Sequence, residues 1–264
     1  TFGNNKRRTM STTLLIIIPA LALITSTAIT LVGVIVSVAY RQENFHVSKT
    51  LLTVIARETS ARLLLFILRP LSPLIANERN AELWLICDAQ HPRASFLFLS
   101  LFLQQRGAPT RIVSLSGKRL ALAARAEQLK QALERDNRGT QKITMVCFDT
   151  AGVVAAWAIQ HLQLSAHCDK IISIGTPWQG TQMAVFGRAV SSVEVKTNSP
   201  KLDSIRELPI SITSIWSPDD PFIVPAQSAC HSEMDSASIS GTGHLAMLFS
   251  ARVMRAVYTA AKNR

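Results

Sequence analysis

The chain has no cysteine pair in C-x-x-C spacing, no internal repeat, no low-complexity tract and, between Arg8 and Arg41, no charged residue. The first absence excludes zinc ribbons and thioredoxin-like redox centres, which need two thiolates on one short turn. The missing repeats exclude solenoids and propellers. A hydrophobic content of 48% excludes a disordered chain. Acid is scarce: 17 Asp and Glu stand against 28 Lys and Arg, a net charge of +11 over 264 residues. Much of that excess lies in the first 80 residues, beside an apolar run. The expected partner is therefore a bilayer with anionic headgroups and not nucleic acid.

The uncharged stretch predicts a transmembrane helix over residues 13–41, preceded by a basic tail over 1–12 that carries Lys6, Arg7 and Arg8. About 20 residues rising 1.5 Å each cross the hydrocarbon core. The rival is a cleaved secretory signal ending near Ser37-Val38-Ala39. A signal's apolar region is roughly 7 to 15 residues, shorter than the run here. Basic residues flank both ends, with Arg41, Lys49 and Arg57 on the far side, so orientation is not set by charge bias. The expectation is a single-pass protein of a bacterial inner membrane with its domain on the periplasmic side. Residues 42–80 read as an amphipathic membrane-proximal segment with a helix over 47–68 that lies on the membrane or packs on a partner. The alternative is a core helix of the domain. Arg69-Pro70 and Ser72-Pro73 end the pattern.

From 81 to 264 short apolar runs alternate with helical stretches. Strands are predicted at 83–88, 110–115, 143–148, 170–174, 210–216 and 236–239, and helices at 94–105, 120–135, 152–162 and 245–261. Continuously apolar strands separated by helices predict an α/β domain, a mostly parallel sheet with helices on both faces. Cys87 and Cys147 fall inside strands as small core residues, whereas Cys168 and Cys230 lie at element edges and could pair only if the domain is outside the cytoplasm, which the sequence leaves open. Functional groups in such sheets gather beyond the carboxyl ends of the strands.

Three of those ends carry motifs: Gly175-Thr176-Pro177-Trp178-Gln179-Gly180-Thr181, then Ser217-Pro218-Asp219-Asp220-Pro221-Phe222-Ile223-Val224-Pro225, then Gly241-Thr242-Gly243-His244-Leu245. In this order they resemble the lipase and esterase branch of the α/β-hydrolases, in its G-T-P-x-x-G-T segment, its acid loop before a Val-Pro, and its G-x-G-H histidine loop. The resemblance implies an α/β-hydrolase fold over 81–264, with His244 as general base oriented by Asp220 or Asp219.

Two elements depart from that pattern. The family's nucleophile elbow, G-x-S-x-G, is matched by Phe148-Asp149-Thr150-Ala151-Gly152, with Thr150 in the serine's place. The His-Gly pair that supports the oxyanion is replaced by Cys87-Asp88-Ala89-Gln90, and Asp88 and Asp149 would oppose charge building on a substrate oxygen. The stretch 182–201 is short for a lid. Thr150, His244 and Asp220 thus form a remnant triad. Asp149 is the alternative nucleophile, since Cys147 to Ala151 also fits the small-x-Asp-x-small elbow of epoxide hydrolases and dehalogenases. A weaker expectation is a cation held where Asp88, Asp149, Asp219 or Asp220, His91 and His244 converge. No ligand spacing implies a metal or any cofactor. Concerted change at both catalytic elements points to a membrane-anchored, catalytically silent domain that serves as an accessory subunit of a membrane complex.

Overall fold

The computed structural model describes residues 49–264 except 76, 79, 89–90, 118–119, 137–140, 187–193, 233–234 and 264, together with 21, 24–25, 27–28, 30–36 and 39. Six parallel strands form one sheet in the order β2-β1-β3-β4-β5-β6: β1 Leu83–Cys87, β2 Thr110–Ser114, β3 Ile143–Phe148, β4 Cys168–Ile174, β5 Ser211–Trp216 and β6 Ser236–Ser238. The helices are α1 Lys49–Leu68, α2 Leu97–Gln104, α3 Leu122–Asp136, α4 Ala151–Leu162 and α5 Ala251–Lys262.

The central strands β1 and β3 are buried along their whole length because both faces of the sheet are covered there. Trp84, Ile86, Met145 and Cys147 point to a core shared with α3 and α4, among Leu129, Val154 and Ala158. Their neighbours Leu83, Leu85, Cys87, Val146 and Phe148 point to the opposite core, against Phe96, Leu99 and Leu103 and, from α5, Val253 and Val257. Alternate residues of a strand face opposite sides, so an unbroken apolar run is what two buried faces require. The predicted closing helix divides in two. A 3-10 segment, Leu245–Phe249, is separated from α5 by extended Ser250 at φ −87°, ψ 120°.

The sheet reverses its winding between β1 and β3, since β2 lies to one side of β1 and β3 to the other. At such a switch point the two neighbouring loops splay apart and open a crevice beyond the strand ends. Asp88 and His91 follow β1, and Asp149 and Thr150 follow β3, so these residues flank that crevice.

Helix α1 docks on the domain. Val54, Glu58, Ala61 and Leu68 are buried, and Glu58, fully enclosed, accepts backbone N–H bonds from Leu245 at 3.2 Å and Ala246 at 3.1 Å. Arg57 donates to the Gly241 carbonyl. Of the two expectations for this helix, packing as a core element describes this stripe. Its remaining surface, with Leu52, Leu63, Phe66 and Ile67, is exposed, as are Leu71 and Leu74 beyond it. The expected span over 13–41 falls largely outside the described residues. Among those described, no helix is long and apolar enough to cross a membrane, and the helical residues Thr30 and Val34 are buried, with Gly33 against the Pro221 carbonyl.

All four cysteines are free, which answers the question the sequence left open for Cys168 and Cys230. Cys168 is buried in β4, with its thiol on the Lys170 carbonyl. Burial pushes the Cys87 thiol up to about 11, the Cys168 thiol up to about 12, and the Cys147 thiol well above its usual range. Alkylation requires thiolate and access. A maleimide at neutral pH is therefore expected to modify Cys230 alone in the native protein and all four cysteines after denaturation, as read by intact mass. Rapid native labelling of Cys168 would contradict this packing.

Candidate functional site

The residue at the sharp turn between β3 and α4 is Asp149, with φ +55°. Thr150 follows at φ −61°, in the right-handed region, as the first residue of the helical turn. The matched elbow is thus Cys147-Phe148-Asp149-Thr150-Ala151, one residue earlier than the pattern that set Thr150 in the serine's place. The shift has a steric cause. A left-handed backbone costs about 1–2 kcal/mol for most residues, less for Asp, and is worst for a β-branched residue such as Thr. The turn is held from outside: the Asp149 N–H donates to the Ile174 carbonyl at 3.0 Å, and the Thr176 hydroxyl donates to the Asp149 carbonyl at 2.8 Å.

The two side chains leave the elbow in opposite directions. Thr150 is buried and its hydroxyl donates to Asp88 Oδ2, 2.5 Å away. The same oxygen accepts from Arg125 Nη1 at 2.6 Å, and Arg125 continues to Glu194 Oε2 at 3.4 Å. Asp88 therefore does not stand as an unbalanced charge beside the crevice, as expected from the sequence; a buried guanidinium from α3 neutralises it.

Asp149 faces two imidazoles. Its Oδ2 is 3.4 Å from His91 Nε2 and its Oδ1 is 3.7 Å from His244 Nε2. His244 Nδ1 lies 2.6 Å from Asp220 Oδ2, whose other oxygen accepts the Phe222 N–H at 2.8 Å. Asp219 takes a different task, accepting the Gly241 N–H at 2.6 Å and so tying the acid loop to the histidine loop. Burial alone would lower His244, but the charge and hydrogen bond of Asp220, with the charges of Asp149 and Glu58, push it up to about 9. Burial works to raise the Asp149 carboxyl. The hydrogen bond from His91, the charges of His244 and His91, and the Thr150 N–H outweigh it and hold that carboxyl below its ordinary value.

The three motifs brace this arrangement. Gly175, at φ +56°, admits the His244 ring: a Cβ there would lie 3.2 Å from His244 Cε1 and 2.7 Å from the end of Met247. Thr181 donates to the Phe222 carbonyl at 2.9 Å and accepts from the Val224 N–H at 3.0 Å, fixing the acid loop. Gly243 lets Glu58 approach the turn after His244, since a Cβ there would lie 2.7 Å from Glu58 Oε2. Phe148 packs against both imidazoles, with ring centroids 4.8 Å from His91 and 4.9 Å from His244.

The structure brings His244, Asp220 and Asp149 together and sends Thr150 to Asp88. Motif spacing gave no weight to Glu58, Arg125 and Phe148, and His91 entered only through the cation cluster. A lone acid in a helix otherwise apolar and basic was the signal available for Glu58. A cavity of about 540 Å³ opens behind the histidine loop, between α1 and the chain's end, lined by Arg57, Leu64, Thr242, Ala246, Phe249 and Arg252 among others. Neither Asp149 nor Thr150 lines it.

No protein-family model matches the chain, and no curated relative does. Solved structures do. Lipase B of Aspergillus fumigatus superposes with a TM-score of 0.56 at 12% identity over 71% of this chain and 54% of the lipase, so the chain spans about half that protein's length. An α/β hydrolase from the metagenome of Mar Chica lagoon sediments gives 0.53 at 15% identity over 71% and 93% of the two chains. Est1E of Butyrivibrio proteoclasticus gives 0.53 at 14% over 69% and 88%.

Removing one partner of a buried ion pair leaves the other charge uncompensated, at a cost of about 3–5 kcal/mol. Arg125→Ala is expected to lose that much in urea unfolding, and Asp88→Asn in the same background to recover part of it. A loss below about 1 kcal/mol, the range of an exposed pair, would contradict the buried pairing. Six parallel strands in this order, with elbow, acid loop and histidine loop converging at their carboxyl ends, give the chain the α/β-hydrolase fold of solved lipases and esterases.

Proposed function

We propose that this chain is a membrane-held protein of α/β-hydrolase fold that does not cleave acyl esters and serves as a structural or accessory subunit of a membrane complex. One observation carries the first half of this reading: a carboxylate, Asp149, occupies the elbow position facing His244, while the neighbouring hydroxyl of Thr150 is committed to Asp88.

A serine at the elbow passes its proton to the imidazole as its oxygen attacks a carbonyl carbon. An ionised carboxylate has no proton to pass. Its attack on an ester would form a mixed anhydride and expel an alkoxide, a far stronger base than the carboxylate consumed, so the step runs backwards. The groups that would meet a developing oxyanion are altered as well. The residues after β1 present Asp88 and His91 where lipases of this kind carry a His-Gly pair. What is left is a set of charged groups that bind or brace.

The second half rests on the surface and on composition. The uncharged stretch over 9–40, the exposed Leu63, Ile67, Leu71 and Leu74, and the excess of Lys and Arg suit a bilayer with anionic headgroups. We place the protein in a bacterial inner membrane with the domain on the periplasmic side, beside a larger assembly.

The elbow backbone favours a second reading, because Asp149 stands where a covalent nucleophile stands and His244 with Asp220 completes a base and its orienter. In that reading an Asp149 oxygen attacks an sp³ carbon, the bond from that carbon to a halide or an epoxide oxygen breaks, and an alkyl ester forms. His244 then takes a proton from a water that attacks the ester carbonyl, which releases an alcohol and restores the carboxylate.

Purified full-length protein is expected to give no turnover of short-chain acyl esters above background. Acyl-ester turnover that Thr150→Ala abolishes would overturn the main reading. For the second reading, His244→Gln incubated with epoxides and haloalkanes would accumulate an alkyl mass increment on Asp149. The main reading predicts that no increment appears.

A further inference from the structure

We infer that His91, Asp149 and His244 hold one divalent metal ion of zinc type, with Asp220 orienting His244 from behind. This assignment rests on the reading that the elbow no longer performs acyl transfer, and it names what the altered site binds.

Zinc takes imidazole nitrogen and carboxylate oxygen at about 2.0–2.2 Å, and tetrahedral ligands at such distances stand about 3.3–3.5 Å from one another. His91 Nε2 lies 3.4 Å from Asp149 Oδ2 and His244 Nε2 3.7 Å from the other oxygen, Oδ1, so each imidazole stands at about ligand spacing from one edge of the carboxylate, and a small turn of that group serves both. All three ligand atoms lie within 4.8 Å of one another. His91 sits on the loop after β1 and keeps 15% of its side chain exposed, which leaves its ring room to adjust to an ion.

The surroundings fit as well. A metal-bound imidazole commonly donates its remote N–H to a carboxylate, which fixes the tautomer and the ring direction. Asp220 Oδ2, 2.6 Å from His244 Nδ1, is in that place and turns Nε2 toward Asp149. Phe148 holds both rings from one side. Charge balances in the bound state: Asp149 and Asp220 bring two negative charges, a divalent ion brings two positive ones, and the ion takes the place of the proton on His244 Nε2. The remaining nearby acid, Glu58, is engaged by the Leu245 and Ala246 N–H groups and by Arg62 at 3.4 Å. Two nitrogens and one oxygen suit zinc over magnesium or calcium, which take oxygen ligands. Asp149 and His91 reach the crevice surface, with side chains 18% and 15% exposed, so the fourth position opens to solvent. That is the ligand count of a site that keeps a water or a small ligand.

The change from a serine-type elbow to this one also becomes intelligible. A carboxylate at that position, useless as an acyl acceptor, is a ligand aimed by the same backbone turn at the same imidazole.

The test is zinc titration of chelator-stripped, full-length protein in detergent, followed by calorimetry and by native mass spectrometry. One zinc per chain is expected. Affinity should fall at least 100-fold in His91→Ala and in Asp149→Asn, and about 10- to 100-fold in Asp220→Asn, the loss typical of an orienting partner. Cys230→Ser should leave it unchanged, since that thiol lies outside the site. Cobalt(II) in place of zinc should give the visible absorption of a tetrahedral site, lost in His91→Ala. Circular dichroism of each variant separates a lost ligand from a lost fold. No zinc uptake by the intact chain, or uptake that His91→Ala leaves within threefold of wild type, would overturn the metal site. The two readings fail separately: ester turnover lost in Thr150→Ala ends the non-acyl reading whether or not zinc binds, and absent zinc binding leaves that reading standing.

Discussion

The imidazole of His244 lies between two carboxylates, Asp220 at 2.6 Å on one side and Asp149 at 3.7 Å on the other. That contact joins the loops after β3, β5 and β6, and adds the elbow to the two loops that Asp219 already ties together through the Gly241 N–H. Coulomb attraction across a few ångströms is strong where water is excluded and weak where it is not. The contact therefore depends on burial, and the strongly apolar strands beneath it and the Phe148 ring beside it supply that burial. The chemistry open to the site follows. The residue that faces the base is a carboxylate, and the neighbouring hydroxyl of Thr150 donates to Asp88.

Two further charged groups keep the arrangement from collapsing. Glu58 reaches from α1 to the N–H groups just beyond His244, and Arg125 reaches from α3 to Asp88 beneath Thr150. Each satisfies buried groups that would otherwise stand unpaired, at about 1–3 kcal/mol apiece or more where charged. Through Glu58 helix α1 becomes part of the wall of the site, and a cavity lies between that helix and the residues Thr242 and Ala246 on either side of His244.

Strands β1 to β6 were legible to within a residue or two, and β1 and β3 stand out because burial on both faces forces continuous apolar runs. The motif residues from Gly175 to Thr181 and from Ser217 to Pro225 were legible too, though their work is mostly to brace loops. Of the two elbow registers that the sequence offered, the backbone takes the one centred on Asp149 and not the one centred on Thr150. Gly152 resembles the last glycine of the lipase pattern, yet the residue with positive φ is set by where β3 stops pairing with β4, at the Asp149 N–H on Ile174. Pairing of that kind is not written in a five-residue window. The partners of Glu58 and Arg125 were not legible for the same reason, since Glu58 meets its own 187 and 188 positions away and Arg125 meets Asp88, 37 positions away. The break at Ser250 inside the closing helix carries no proline or glycine to announce it.

The central claim is that the only hydroxyl at the elbow is turned away from the base. Treating the full-length protein with a fluorophosphonate and locating any adduct by peptide mass spectrometry tests it directly. The account predicts no phosphonylated residue in wild type and slow labelling at position 149 in Asp149→Ser, where an oxygen with a proton would face His244. A phosphonyl group on Thr150 of the wild-type chain would contradict it.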